Sequence, residues 1–415
     1  MKNLYIGLMS GTSMDGVDAA LVSFDNTIQL LGTASIEIPP HIKSALLTLC
    51  CGENIHLKLL GETDTQMGHL FADAVLNLLE KTAVNPAEIT AIGSHGQTIY
   101  HHPNSAHPFT SQIGDPNIIA ARTNITTVAD FRRRDIALGG QGAPLVPAFH
   151  EYLFRDRVND CCVVNIGGIA NITYLPGDKT KSIMGFDTGP GNTLIDQWHQ
   201  KHRGKPIDFD GGWARSGKIN QELLTQLLDD PYFKLSSPKS TGREYFNLKW
   251  VAEKLKIPLN PPFSKGESEA SLDLSSSKGE SEVLLDLSFS GERIGISSAD
   301  IQATLTELTA KSIAYAINHS MRHDKSRHYD LSESRVYDLW VCGGGAYNQY
   351  LVERLRANLP CFQVISTTQV GIDPQWIEAA AFAFLAKQTI EKKPGNCINV
   401  TGARKETILG AVFPV

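Results

Sequence analysis

Leu4-Tyr5-Ile6-Gly7-Leu8-Met9-Ser10-Gly11-Thr12-Ser13-Met14-Asp15-Gly16-Val17-Asp18-Ala19-Ala20-Leu21-Val22-Ser23-Phe24 reads strand, turn, strand. Leu4–Met9 and Ala19–Phe24 are apolar runs of strand length, and Ser10 to Gly16 carry turn chemistry between them. Near residue 160 the pattern returns: Cys161–Ile166 is apolar, Gly167-Gly168 makes the turn, and Ala170–Leu175 is apolar again. A third strand, Ser182–Phe186, ends in Asp187-Thr188-Gly189-Pro190-Gly191-Asn192, after which Thr193–Gln200 has helical spacing. Each half of the chain thus opens on a hairpin whose tight turn is rich in Gly, Ser or Thr. Two hairpins alone leave a duplication undecided.

Outward from the first hairpin, Leu57, Leu60, Met67, Leu70, Phe71, Val75 and Leu78 share one face of a helix within residues 55–80. A short strand, Ile89–Gly93, leads into Ser94-His95-Gly96-Gln97-Thr98. Gly114-Asp115-Pro116 precedes a helix over Asn117–Arg122, and Thr126–Ala129 enters Asp130-Phe131-Arg132-Arg133-Arg134-Asp135 and the loop Gly139-Gly140-Gln141-Gly142-Ala143-Pro144. The final third holds a helix over Ala299–Met321, a strand over Tyr337–Val341, the turn Cys342-Gly343-Gly344-Gly345 and a helix over Asn348–Asn358. A last helix, Trp376–Thr389, begins Glu378-Ala379-Ala380-Ala381, small residues that admit another backbone. Ser264–Arg293 differs in kind: Ser264-Lys265-Gly266-Glu267-Ser268-Glu269 recurs as Ser277-Lys278-Gly279-Glu280-Ser281-Glu282. Such polarity cannot supply a core, so the segment reads as a surface insertion, with Asp324–Asp338 a second, shorter one.

A length of 415 residues suggests two or three lobes. Lys and Arg number 38 against 44 Asp and Glu, a formal charge of −6, which disfavours nucleic-acid and acidic-membrane partners. No apolar run approaches the ~18 residues of a membrane span, and the first residues are too soon interrupted for a signal peptide. The seven Cys include no C-x-x-C and no metal spacing, which reads as buried thiols in a reducing, cytoplasmic compartment.

Four features carry candidate chemistry. In the first turn, glycines and consecutive N–H groups can form a concavity for anions, and Asp15 or Asp18 can hold Mg²⁺ through water; an ordinary hairpin turn would read the same. It is not a Walker A loop, since no Gly-Lys-Ser/Thr is present. Gly343-Gly344-Gly345, between a strand and a helix, suits a nucleotide near the backbone. Asp187, at the end of a strand beside a glycine turn, is the best candidate for a catalytic base, with Asn192 better placed to cap the following helix. Of Arg132, Arg133 and Arg134, neighbours alternate sides, so one or two can bind a carboxylate or phosphate, and a solvated charge run reads equally well. His95 is a substrate hydrogen-bond donor or a structural histidine.

Together these motifs closely resemble the anhydro-N-acetylmuramic acid kinases of bacterial peptidoglycan recycling. The stretches that carry the resemblance are Gly7–Asp18, Ser94–Thr98, Ala129–Asp135, Gly139–Pro147, Asn165–Asn171, Gly185–Asn192 and Cys342–Gly345. The resemblance implies an α/β, two-lobed actin/Hsp70/hexokinase-like (ribonuclease H-like) ATPase fold with the nucleotide in the cleft and one phosphate hairpin per lobe. Lobe I would comprise residues 1–128 with about 375–415, and lobe II residues 129–374 with the insertion at about 264–293. It implies ATP and Mg²⁺ as cofactors and the conversion of 1,6-anhydro-N-acetylmuramic acid plus water to N-acetylmuramic acid 6-phosphate. Gly11, Thr12, Ser13, Met14, Asp15, Gly16, Val17 and Asp18 would cradle the phosphates with Gly167 and Gly168, and Gly343, Gly344 and Gly345 would lie near the adenosine. Asp187 would activate the water; ionised at its reference pKa near 3.9, it would need little tuning. His95, Gln97, Gly189 and Glu378 would contact the sugar, with one or more of Arg132–Arg134 on its lactyl carboxylate. The expected partner is a small anhydro-amino sugar, with no nucleic acid and no membrane; a homodimer is left open. The rival expectations are an ordinary sugar kinase of the same fold and an ATP-driven conformational protein.

Overall fold

In the computed structural model, which describes residues 3–11, 13–25, 27–51, 55–155, 159–237, 239–255, 296–322 and 336–415, the first apolar runs pair as a hairpin. Strands β1 (Leu4–Ser10) and β2 (Gly16–Ser23) are antiparallel, from Leu4 opposite Ser23 to Met9 opposite Asp18, and β3 (Gln29–Glu37) continues the meander. The chain crosses through the helix Leu57–Thr82 to β4 (Ile89–His102), which lies parallel to β1, with β5 (Phe109–Ile113) antiparallel and β6 (Thr127–Ala129) parallel to it.

The second half repeats the plan. Strands β7 (Cys161–Ile166), β8 (Ile169–Leu175) and β9 (Met184–Pro190) form the meander, and β10 (Tyr337–Cys342) and β11 (Phe362–Ser366) add in parallel after the helix Ser298–Arg322. The first sheet runs β3-β2-β1-β4-β6, closed at its edge by β12 (Ala411–Phe413), and the second runs β9-β8-β7-β10-β11. The same order twice settles the duplication that two hairpins left undecided. This is the two-lobed α/β fold of the actin/Hsp70/hexokinase kind.

Each sheet buries one face under its crossover helix. Leu4, Ile6 and Leu8 pack on Met67, Phe71 and Val75, and Val164, Ile172 and Phe186 pack on Ala310, Ile313 and Ile317. The other faces share one helix, Ile377–Ile390, whose cluster takes Tyr5, Ala20 and Ala91 from the first lobe and Cys161, Val163 and Trp340 from the second. A helix that is apolar all round belongs in such a place. Its small residues do what their size promised: methyls on Gly7 and Gly93 would overlap the carbonyl oxygens of Ala379 and Phe382, so helix and sheet meet backbone to backbone.

Several expectations are corrected. Ser94–Thr98 lies inside β4 rather than after a strand, because pairing with β1 and then β5 carries it on to His102. Asp187 lies within β9, which starts two residues later than expected and runs on to Pro190. Tyr337 and Asp338, read both as the end of an insertion and as the start of a strand, belong to the strand, pairing in β10. The boundary drawn at 128/129 falls inside β6, whose Ala129 pairs with Ala411. Cys161, Cys162 and Cys342 are buried thiols, but Cys51 is exposed. Among the described residues no helix is long and apolar enough to cross a membrane. The repeat Ser264–Arg293 lies outside the described residues.

Candidate active site

At the first turn, Met14 takes a left-handed conformation (φ 54°) and its N–H donates to the Gly11 carbonyl at 3.1 Å. Gln97, opposite Ser10 in the β1–β4 register, is fully buried; its Oε1 lies 2.7 Å from the Ser10 hydroxyl, and its amide donates to the Gly11 carbonyl at 3.4 Å. Gln97 therefore braces the turn. Thr12 lies outside the described residues. Gly11, Ser13 and Gly16 remain half-exposed, whereas the Val17 side chain is core, leaving only its backbone for a ligand. Asp15 points to solvent and pairs with Lys43 at 2.8 Å. Asp18 is half-buried, and burial pushes its carboxyl up against the opposing bond from Ser35. Among the described residues no three His, Cys, Asp or Glu gather as a metal cage. Of the two carboxylates expected near Mg²⁺, only Asp18 turns inward.

At the second turn, Gly167 and Gly168 are held from behind. The Gly191 and Thr193 amides donate to the Gly168 carbonyl at 2.9 and 3.1 Å, and the Asn192 amide to that of Gly167 at 2.8 Å. The Asn192 side chain does not cap its helix; its Nδ2 donates to the Ile166 carbonyl at 3.2 Å. Gly343 and Gly345 also pack on this hairpin, since methyls there would strike Asn165 and Ile166; Gly344 is exposed and Gly343 half-exposed. Gly189, expected to touch sugar, is buried under the Phe233 ring.

Register shows where Asp187 faces. Asn165 on β7 pairs with Asn171 on β8, which pairs with Asp187 on β9. Directly paired residues present their side chains on one face of a sheet. That face is the one whose Cys161 and Val163 pack on the helix Ile377–Ile390, while Phe186 turns to the other. Asp187 therefore looks toward the first lobe, two strands or about 10 Å from Asn165. Burial pushes its carboxyl up to about 6, against the Thr241 amide, which donates to Oδ2 at 3.1 Å, and the nearby Lys239 ammonium. The expectation of an untuned carboxylate is corrected. Tyr232 donates to the Asp187 carbonyl at 2.7 Å, and the Asp187 amide donates to the Lys239 carbonyl at 3.2 Å. The segment Lys239-Ser240-Thr241-Gly242-Arg243, which sequence reasoning passed over, thus straps the acid from both sides. It has no period, and its glycine and two cations were the only signal.

Across the cleft, Glu378 in the first turn of the helix Ile377–Ile390 accepts from Asn165 Nδ2 at 3.1 Å. Burial pushes its carboxyl up, while Arg132 opposes the shift. Arg132 is the one arginine of the three that turns inward: its Nε and Nη2 lie 3.1 and 2.8 Å from His95 Nε2, and Nη1 donates to the Gly142 carbonyl at 2.8 Å. Burial and this guanidinium hold the His95 imidazole well below its ordinary pKa, so His95 is neutral, its Nε2 accepts, and its proton sits on Nδ1. Arg133 pairs with Asp130 at the surface and lines a cavity with Ser94, His95 and Gly96, and Arg134 is exposed. Asp135 is a fully buried tie, accepting from Gly142 N, Asn396 Nδ2 and Thr401 Oγ1 at 2.8 to 2.9 Å. Replacing Arg132 by Met leaves Glu378 buried without its cation and His95 without its donor, so turnover falls at least about 100-fold, whereas Arg134→Ala stays within about two-fold. Steady-state rates of the two variants check this.

The model of the family described as anhydro-N-acetylmuramic acid kinase matches residues 3–265 and 283–415, and the stretch it skips lies within the repeat. A protein of that name from Coxiella burnetii is 49% identical over 412 residues, covering 99% of this chain and 98% of that protein. Those of Photobacterium profundum and Shewanella pealeana are each 47% identical, over 99% and 100% of this chain and 98% and 99% of theirs. Among solved structures, component A of the Acidaminococcus fermentans (R)-2-hydroxyglutaryl-CoA dehydratase is 10% identical over 92% of this chain and 96% of that one, with a TM-score of 0.43, too distant to add to the assignment. Matched over nearly its whole length and almost half identical to these relatives, the chain belongs to the anhydro-N-acetylmuramic acid kinase family.

Proposed function

We propose that the protein uses ATP and water to convert 1,6-anhydro-N-acetylmuramic acid to N-acetylmuramic acid 6-phosphate and ADP, a cytoplasmic step of peptidoglycan recycling. The observation that carries the reading is the Asp187 carboxyl: enclosed, raised to about 6, and on the sheet face that looks toward the opposite lobe. Such a group is largely ionised at neutral pH and basic enough to take a proton, a contribution of roughly 10²–10⁴-fold.

In this reading Asp187 accepts a proton from the water that bonds to C1. The C1–O6 bond breaks, O6 takes the γ-phosphoryl group, and the bond from that phosphorus to the ADP oxygen breaks. Gly11–Asp18 and Gly167–Gly168 would flank the phosphates, and Glu378 and Arg132 would bind the sugar, the latter through its carboxylate. A cage of protein carboxylates is not needed for Mg²⁺, which keeps several waters and phosphate oxygens; Asp18 would hold it through water. When bound, the ion would neutralise phosphate charge.

The test compares ATP consumption with 1,6-anhydro-N-acetylmuramic acid, N-acetylmuramic acid and glucose, and follows ¹⁸O from solvent. The reading requires turnover with the anhydrosugar and one ¹⁸O at C1 of the product. Phosphorylation without ¹⁸O would make the protein an ordinary sugar kinase, and ATP turnover indifferent to sugar would make it a conformational ATPase.

A further inference from the structure

Arg243 ends the strap over Asp187, and its guanidinium lies against the second turn: a methyl built on Gly168 would sit 2.8 Å from Arg243 Nη2 and 2.9 Å from Nε. We propose that Arg243 binds the transferring γ-phosphoryl group, an inference that rests on the kinase reading above.

Three observations converge on it. The first is position. Two residues before Arg243, the Thr241 amide holds the Asp187 carboxylate, so one short segment touches both the acid and the turn. A phosphoryl group passing from nucleotide to sugar must lie between those two places. The second is the state of the turn. The three amides at the start of the helix Thr193–Arg203 donate to the Gly167 and Gly168 carbonyls and cannot serve an anion. What the turn does hold against it is a full positive charge, Arg243 packed on Gly168.

The third is the absence of a closed partner. Arg122, Arg133, Arg215 and Arg354 each hold a carboxylate within 2.9 Å. Arg243 is exposed and makes no ion pair of that kind among the described residues. The acid that feels it is Asp196, and burial still pushes that carboxyl up to about 7, as expected of a group without a close cation. A planar guanidinium, always charged and with five donors, suits a phosphoryl group whose oxygens gather charge as it transfers.

The experiment measures binding of ADP and of the non-hydrolysable analogue AMPPNP to wild type and Arg243→Met by calorimetry, alongside turnover. The variant should bind ADP as wild type does, bind AMPPNP at least 10-fold more weakly, and lose about 100-fold or more in kcat with little change in KM for the sugar. Millimolar guanidinium should restore part of the rate in Arg243→Gly, which a purely structural role would not allow. Equal weakening of both nucleotides, or of neither, overturns the assignment, as does a variant with wild-type kcat. A folding check by circular dichroism accompanies each variant; if Arg243→Met misfolds, the same arms are run on Arg243→Lys, which keeps the charge and loses the fork. Failure of wild type itself to turn over the anhydrosugar would strike the kinase reading and leave the nucleotide arms to judge Arg243 separately.

Discussion

Asp187→Asn should abolish turnover, leave nucleotide binding near wild type, and make the protein more stable at alkaline pH. The first effect follows because the amide keeps the shape and the Thr241 hydrogen bond while losing basicity; the expected loss is about 10³-fold or more in kcat. The pH profile of the wild type carries the same signature. With the carboxyl pushed to about 6, the base is protonated below that pH, so kcat/KM should fall about ten-fold per pH unit on the acid side and level off above 7.

The stability effect has a definite sign. The folded pKa of about 6 exceeds the reference 3.8, so the folded state holds this proton more tightly than the unfolded chain does. Below 3.8 the group is neutral in both states and costs nothing. Between 3.8 and 6 stability is lost as pH rises, and above 6 the cost is complete, at most roughly 3 kcal/mol. Asparagine carries no such charge. Its melting temperature should exceed that of wild type at pH 8, and the gap should close toward pH 4. Equal melting temperatures at pH 8 would mean that the carboxylate is adequately solvated, and an Asp187→Asn enzyme with near-normal turnover would remove Asp187 from its role.

What sequence could announce was local. Apolar runs of strand length around glycine turns mark β1–β2 and β7–β8, and the Ala-rich start at Glu378 marks a helix made for close contact. What it could not announce was set by distance along the chain. Gln97 is 87 residues from Ser10, and its role as a brace exists only once β4 lies beside β1. Three adjacent arginines are indistinguishable until His95 and the Gly142 carbonyl draw one of them inward. The raised Asp187 carboxyl arises from burial in the folded chain, against the Thr241 amide and Lys239 of the strap, none of which follows from its own motif. The glycine triplet has a second cause that its own motif does not show, because two of its members also admit the close packing of β7.

The contact of the helix Ile377–Ile390 with the first sheet can be tested by a pair of substitutions of opposite sign. In Gly93→Ala the new methyl would overlap the Phe382 carbonyl oxygen and come within 3.0 Å of the Ala386 Cβ, and neither neighbour is a flexible side-chain end. Strand β4 and the helix must separate, at a cost of about 3 kcal/mol or more. Against a total stability of about 5–15 kcal/mol, that lowers the melting temperature by at least about 3–4 °C for a chain of this length or prevents folding. Gly61, in the exposed interior of the helix Leu57–Thr82, is the control: a methyl there meets nothing within 4 Å. Gly61→Ala should raise stability by about 0.5–1 kcal/mol, since alanine loses less backbone freedom on folding. Thermal unfolding of both variants checks the pair, and a Gly93→Ala protein as stable as wild type would refute the backbone contact. The contact also reaches the chemistry. Glu378 rides on the first turn of the same helix and is tied across the cleft to Asn165, which shares a row with Asp187. Any Gly93→Ala protein that folds should therefore lose turnover beyond its loss of stability when assayed well below its melting temperature, because moving the helix moves one wall of the cleft against the other.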